Sequence, residues 1–190
     1  QNGSRPANSL IVTNSADTPL KGLNFLLEAV AHIRKARPIR LTVIGQPKKD
    51  GIIENLVARL GVGDIVHFTG RIANEEFADY YAKSTIAVVP SLYEGFGIPA
   101  AEAMACGVPL ISTSGGALPE VVGDAGMIVP PGDAGALARA IEHLLDSPDD
   151  RKKYAQAGLA RVNSVFSWKK AAQEVVDVYR EAINGYRRSS

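Results

Sequence analysis

The sequence predicts an α/β domain in which a mostly parallel sheet of six strands is covered by helices on both faces. Short apolar runs rich in β-branched residues occur six times, each run ends at a turn former, and helical stretches separate the runs. Strands that alternate with helices are typical of parallel sheets buried on both sides. We therefore expect a ligand site just after the strands, at their carboxyl ends.

The predicted elements alternate along the chain. The strands span residues 9–14, 39–45, 64–70, 85–91, 108–113 and 126–130. The helices between them span residues 22–37, 51–60, 74–83, 99–105 and 133–145, with a short helix carrying Glu120 before the last strand. These lengths are ordinary for the elements of one compact domain.

Two more helices are predicted after Pro148, over residues 149–165 and 167–184. The second has an apolar stripe at helical spacing, with Ser167 as N-cap and Gly185 as C-cap. The stripe consists of Trp168, Ala171, Ala172, Val175, Val176, Val178, Tyr179 and Ala182. We expect it to pack on this same domain; the alternative is that it packs on a partner domain outside this chain.

The composition excludes several classes of partner. The 190 residues include 21 Lys and Arg against 20 Asp and Glu, so the net charge of +1 predicts neither a nucleic-acid nor a membrane-surface partner. One cysteine, Cys106, and three scattered histidines give no disulfide and no metal-ligand spacing. No run approaches the roughly 18 apolar residues of a membrane span. We expect a metal-free protein of the reducing cytoplasm.

The stretch SLYEGFGIPAAEAMACG, residues 91–107, is the most informative one. Gly95, Gly97 and Ala100 match the G-x-G-x-x-A pattern of a dinucleotide loop, but the first glycine does not follow the strand directly and the next strand does not end in an acid. A carboxylate within ~4 Å of phosphate oxygens would also be repulsive. The dinucleotide interpretation is therefore the weaker one.

The two acids of this stretch, Glu94 and Glu102, favour a different ligand. Carboxylates only accept hydrogen bonds, which suits the hydroxyls of a ribose or a hexose. The amides at the start of the following helix, where we place Glu102 in the first turn, suit a phosphate. Together they describe a nucleotide-sugar. In the alternative, Glu102 only complements the helix dipole and Glu94 is a solvated loop acid.

Residues after other predicted strands extend this candidate site. Lys21 stands at a helix start, where the helix dipole disfavours a cation. An anionic diphosphate ligand would explain why a lysine occupies this position. Gly45 and the pair Arg71 and Ile72 follow the second and third strands as candidate base contacts, with Lys48, Lys49 and Arg71 as phosphate partners. Gly115 and Gly116 either approach the ligand or form a plain turn. Each of these residues alone is typical of an ordinary surface.

The run PSLYEGFGIPAAEAMACGVPLISTSGGALPEVVGDAGMIVPPGD resembles the carboxyl-terminal domain of group 1 glycosyltransferases of the GT-B fold, and the resemblance extends from Ser9 to about Ile183. It implies a Rossmann-like, three-layer domain over residues 9–166 that binds a nucleotide-diphosphate sugar as donor. It also implies an amino-terminal, acceptor-binding domain, hexosyl transfer with retention and no required metal. Residues 1–8 are then a linker or residues added in cloning, and residues 167–190 a helix that crosses to the missing domain.

The resemblance also implies residue roles. Glu94 and the backbone of Gly95, Phe96 and Gly97 would bind the donor sugar, Glu102 the ribose, Lys21 with Gly97 and Ile98 the diphosphate, and Gly45, Arg71 and Ile72 the base. Glu94 and Lys21 would be the catalytic residues, Lys21 by stabilising charge on the leaving group.

One departure from the family pattern concerns the diphosphate. Many relatives have an arginine five residues before the lysine, where this chain has Ala16, followed by Asp17. Either Lys48 or Arg71 substitutes, or donor binding differs. Two other functions therefore stay open, a non-catalytic nucleotide-binding module and half of a sugar-nucleotide epimerase. For the intact enzyme we expect a cytoplasmic location, with peripheral membrane association left open.

Overall fold

The computed structural model describes residues 7–13 and 18–189 and contains the predicted six-stranded sheet between two layers of helices. Every pair of neighbouring strands is parallel. The strands are β1 (Ser9–Thr13), β2 (Arg40–Ile44), β3 (Val66–Phe68), β4 (Ile86–Val89), β5 (Leu110–Thr113) and β6 (Met127–Val129). The predicted fold class is confirmed, and the end of the first predicted strand at Asn14 lies outside the described residues.

The helices are α1 (Leu23–Ile33), α2 (Ile52–Leu60), α3 (Phe77–Ala82), α4 (Ile98–Ala105), α5 (Leu118–Val122), α6 (Ala134–Asp146), α7 (Pro148–Val165) and α8 (Trp168–Ser189). Single 3₁₀ turns span Pro19–Lys21, Asn74–Glu76 and Gly123–Ala125. The first helix ends four residues earlier than predicted, in a turn before the proline at position 38. This early end agrees with the restricted backbone that precedes a proline.

The strand order β3-β2-β1-β4-β5-β6 is that of a Rossmann sheet. The chain builds one half of the sheet outwards from β1 and then crosses to β4, which pairs with the other edge of β1. Two loops therefore diverge at the carboxyl ends of β1 and β4. In open α/β sheets this is the crevice where ligands bind.

Two apolar cores hold the helices to the sheet. Buried residues of α1, α2 and α6 pack on one face, around Leu26, Leu41 and Leu137. Buried residues of α3, α4 and α5 pack on the other face, around Met104 and Leu118. Both layers consequently fix the loops at the carboxyl ends of the strands.

Helix α7 packs on α4. An added Cβ at Gly158 would lie 3.1 Å from the Met104 side chain, so this glycine permits close helix packing. Arg161 of α7 donates hydrogen bonds to the carbonyls of Glu120 and Val121 at the end of α5. The helix therefore belongs to the folded domain.

The last helix, α8, does not pack as we expected. Every residue from 170 to 186 is exposed, including Val178 and Tyr179 at 63% and 66%, so the prediction that the stripe packs on its own domain is wrong over these residues. The side chain of Trp168, the first residue of the stripe, lies outside the described part of the structure. Helical periodicity predicts an apolar face but not what covers it. The Ser167 hydroxyl accepts a hydrogen bond from the Lys170 amide, as an N-cap does, but Gly185 lies inside the helix and does not end it.

Within the described residues, no helix is long and apolar enough to cross a membrane.

Candidate functional site

Lys21 and Glu94 meet at the point where the sheet changes direction. Lys21 ends the 3₁₀ turn that precedes α1, and Glu94 lies on the loop between β4 and α4. The Lys21 Nζ is 2.7 Å from Glu94 Oε1, with side-chain exposures of 27% and 10%. The loops are also joined through their backbones, because the Leu92 amide donates to the Leu20 carbonyl over 2.8 Å. Two residues 73 positions apart thus form one charged site.

The Glu94 carboxylate has a second, buried partner. The Ser91 side chain is 2% exposed, and its hydroxyl donates to the same oxygen, Oε1, over 2.8 Å. The Ser91 carbonyl in turn accepts a hydrogen bond from the Thr113 hydroxyl at the end of β5. The acid is therefore held from the loop that carries it and from the neighbouring strand.

The segment after β5 fixes the backbone around Glu94. The Ala117 amide donates to the Glu94 carbonyl over 2.9 Å. A Cβ at Gly115 would lie 2.4 Å from the Leu92 carbonyl oxygen, and one at Gly116 would lie 2.2 Å from the Glu94 carbonyl oxygen. These glycines are therefore required by the close approach of two protein segments. Whether they also contact a ligand stays a prediction.

Glu102 lies on α4, one residue further from the helix start than expected. The helix begins at Ile98 rather than at Pro99, so no acid lies in its first turn, and Glu102 is in the second. A simple role in complementing the helix dipole is weakened, because that effect is confined to the first turn. Burial raises the pKa of the half-buried Glu102 carboxyl.

A hydroxyl pair that the sequence did not suggest lies near Glu102. The Thr13 hydroxyl at the end of β1 and the Tyr81 hydroxyl of α3 are 3.0 Å apart. Burial raises the pKa of Tyr81, the hydrogen bond with Thr13 opposes this, and the charge of Glu102 raises the pKa further. Tyr81 therefore stays protonated and can donate a hydrogen bond.

Three residues predicted to contact a base lie together at the ends of β2 and β3. The Gly70 amide donates to the Gly45 carbonyl over 3.0 Å, which joins the two strand ends in an isolated antiparallel bridge. Arg71 follows and is exposed, and Ile72 packs on the core that α3, α4 and α5 form with the sheet. Both glycines have positive φ angles, 135° and 71°, which explains their use here.

The tip of the loop before α4 exposes apolar surface. Phe96 is 51% exposed and its ring meets that of Phe166 edge to face, with centroids 5.9 Å apart. Gly97 caps α4 with a φ of 94°, and a Cβ there would lie 2.7 Å from Leu118. The start of α4 is thus held against α5, on the side of the sheet where β4 has its carboxyl end.

The structure joins some of the predicted residues by direct contacts. It brings Lys21 to Glu94, and it joins Gly45 to the segment of Arg71 and Ile72. Among the described residues, no hydrogen bond or ion pair links Lys48 or Arg71 to Lys21 or Glu94. Ala16 and Asp17, where the family arginine is missing, lie outside the described residues.

A comparison with protein families gives the relationship. The family model described as "Glycosyl transferases group 1" matches residues 7–147, which is most of the chain and contains every residue of the site. The chain belongs to the group 1 glycosyltransferases. The resemblance inferred from residues 90–133 is thereby confirmed.

Relatives and solved structures agree with this family. Over 94% of its own length, the chain is 43% identical to the MMP α-(1→4)-mannosyltransferase of Mycolicibacterium hassiacum. Over 90% of its own length, it is 38% identical to a D-inositol 3-phosphate glycosyltransferase of Streptomyces bingchenggensis. A sucrose-phosphate synthase from Thermosynechococcus elongatus superposes with a TM-score of 0.80 at 34% identity, over 94% of this chain and 46% of that one.

This group 1 glycosyltransferase chain is shorter than its relatives. It spans 44% and 40% of the two curated relatives. By contrast, it covers 89% of the solved carboxyl-terminal domain of a group 1 family protein, LpcC, from Francisella tularensis, with 86% of its own length, a TM-score of 0.74 and 29% identity. Its fold is therefore that of one Rossmann-like domain of a GT-B enzyme.

Proposed function

We propose that this chain is the donor-binding half of a glycosyltransferase that transfers a hexosyl group from a nucleotide-diphosphate sugar. The observation that supports it most is the convergence of Lys21 and Glu94 where the loops after β1 and β4 diverge. A cation beside a carboxylate matches a donor whose diphosphate is anionic and whose sugar carries hydroxyls.

In this proposal the diphosphate lies between Lys21 and the start of α4. The amides of Gly97 and Ile98 carry the positive end of the helix dipole, and Pro99 has no donor to leave unpaired. Lys21 also stabilises the negative charge that develops on the departing diphosphate during transfer. With the family arginine absent at Ala16, this lysine is the main cation we assign to the phosphates.

The remaining residues bind the two ends of the donor. Glu94 accepts hydrogen bonds from the sugar hydroxyls, and the backbone amides of Gly95, Phe96 and Gly97 donate hydrogen bonds to the sugar. Glu102 binds the ribose hydroxyls. The base lies beside Gly45, Arg71 and Ile72, where an isolated bridge joins the ends of β2 and β3.

The acceptor would bind on a second domain. Relatives are more than twice as long as this chain, and the exposed stripe of α8 offers that domain an apolar surface. The full enzyme would then work in the cytoplasm, with retention of configuration and without a metal. Because one similar protein is a mannosyltransferase, mannosyl donors belong in the first set to be tested.

Calorimetry on the 190-residue chain tests the proposal. The ligands are UDP-, GDP- and ADP-sugars, including a mannosyl donor, and the matched variants are Lys21→Met and Lys152→Met. We expect one nucleotide-sugar to bind, Lys21→Met to weaken it about tenfold or more, and Lys152→Met, an exposed lysine on α7, to leave it unchanged.

Other outcomes would favour a different function. No binding to any of the donors at millimolar concentration would favour the non-catalytic module. Robust glycosyl transfer by this chain alone would contradict the proposal that the chain is only the donor-binding half of the enzyme. Epimerisation of the sugar by the full-length protein, without transfer, would favour the epimerase.

A further inference from the structure

The two oxygens of the Glu94 carboxylate have different surroundings. Lys21 Nζ lies 2.7 Å from Oε1 and Ser91 Oγ lies 2.8 Å from the same atom. No hydrogen bond or ion pair to Oε2 occurs among residues 7–13 and 18–189. Within this part of the chain, Oε1 therefore carries both partners of the carboxylate, and Oε2 can accept from a ligand.

The two partners of Oε1 differ in how firmly they are placed. Lys21 has a long side chain that is 27% exposed and is itself the cation proposed for the diphosphate. Ser91 is 2% exposed, has one side-chain torsion, and lies three residues before Glu94. If Lys21 turns to a phosphate, Ser91 is the partner that still holds the carboxylate.

Ser91 is in turn held by a neighbouring strand. Its carbonyl accepts from the Thr113 hydroxyl, and that same hydroxyl accepts from the Gly115 amide over 3.3 Å. Thr113 is fully buried at the end of β5. The chain of hydrogen bonds therefore runs from the rigid sheet to the carboxylate.

From these contacts we propose that Ser91 is a positioning residue, which holds Glu94 by Oε1 and directs Oε2 to the hydroxyls of the donor sugar. The inference rests on the proposed donor-binding function. It explains why the nearly buried Glu94 carboxylate has a neutral hydroxyl donor in addition to its cation. Each hydrogen bond to the charged oxygen both stabilises the carboxylate and restricts its rotation.

The test compares two ligands on three proteins. Calorimetry measures the affinity of the 190-residue chain, of Ser91→Ala and of Ser84→Ala for the nucleotide-sugar that binds and for its nucleoside diphosphate alone. Ser84 is the matched control, because it is 3% exposed and its hydroxyl donates to the Tyr80 carbonyl, away from Glu94. The affinity for the nucleotide-sugar divided by the affinity for the nucleoside diphosphate isolates the contribution of the sugar.

We expect Ser91→Ala to reduce that ratio about tenfold while the affinity for the nucleoside diphosphate changes less than twofold. Ser84→Ala should leave both unchanged, and Ser91→Thr, which keeps a hydroxyl, should restore most of the ratio. A parallel fall in both affinities would indicate general damage and overturn the positioning role, as would an unchanged ratio. If the unmutated chain binds no nucleotide-sugar, it is the proposed function that fails.

Discussion

Lys21 and Glu94 neutralise each other, and among the described residues Glu102 has no such partner. The Glu94 carboxylate is 10% exposed beside a cation and a hydroxyl, whereas burial alone raises the pKa of Glu102. A carboxylate with a raised pKa is less stable when ionised than it would be in water. A ribose, which donates hydrogen bonds, would favour that ionised form.

The raised pKa of Glu102 gives a prediction for stability. Because the folded chain holds this proton more tightly than the unfolded chain, the contribution of Glu102 to stability falls as the pH rises above the ordinary value of 4.5. Glu102→Gln should therefore raise the melting temperature at pH 7 by a small amount, and the gain should vanish below that value. Melting curves across this pH range test it, with Glu28→Gln, an exposed acid on α1, as control.

A second prediction for Glu102 concerns its affinity for the nucleoside diphosphate. Glu102→Gln should weaken nucleoside diphosphate binding about tenfold near pH 7. The affinity of the unmutated chain should fall on acidification, as Glu102 becomes protonated. If Glu102→Gln binds the nucleoside diphosphate as tightly as the unmutated chain, with the same pH dependence, then Glu102 does not contact the ligand.

At the scale of elements, the site depends on a close approach between the segment after β5 and the loop after β4. Gly116→Ala should cost about 1–3 kcal/mol more than Gly61→Ala, by denaturant unfolding. Both glycines have nearly the same positive φ, 64° and 63°, but a Cβ meets the Glu94 carbonyl only at Gly116 and finds nothing within 4 Å at Gly61. Equal losses for the two variants would argue against this contact.

How far the sequence predicts these elements depends on whether the signal is local. All six strands and the helices between them follow from apolar periodicity and turn residues, because both act over a few positions. The contact of Tyr81 with Thr13 joins residues 68 positions apart, and the approach of Gly116 to Glu94 joins residues on two loops. Neither contact leaves a pattern in one sequence.

For the site residues, motif spacing identified the acids but not what holds them. Lys21 stands out because a cation is unusual at a helix start, and Glu94 because it is paired with Glu102 around two glycines. Ser91 does not stand out, although it is only three residues from Glu94, since a serine at a strand end is common. Its role depends on burial, which only the fold determines.

Helix α8 gives a prediction for truncation. A chain ending at Ser167 should keep its free energy of unfolding within about 1 kcal/mol, because residues 170–186 are all exposed. A chain ending at Asp146 should lose about 3 kcal/mol or more, because α7 covers Met104 and bonds to the end of α5. Chemical denaturation of the two truncated chains tests this, and a large loss from the first would mean that α8 packs on the domain.

At the scale of the whole molecule, the chain has the fold of one domain but the length of less than half a relative. The proposed donor site lies at the carboxyl ends of β1 and β4, beside an exposed aromatic loop tip at Phe96, and α8 exposes its apolar stripe. A second domain that closed over these strand ends would exclude water from the site. Such closure strengthens the electrostatic effect of Lys21 on a departing diphosphate.

The most direct test is to map the ligand on the 190-residue chain by backbone amide NMR, using the nucleotide-sugar that calorimetry selects. The account predicts saturable shift changes at Lys21, at residues 94–98 and 102, and at Gly45 and residues 71–72. Amides at the amino ends of the same strands, such as Asn8 before β1 and Thr85 before β4, should not change. Changes confined to those amino ends, or none at any residue, would contradict a donor site at the carboxyl ends of β1 and β4.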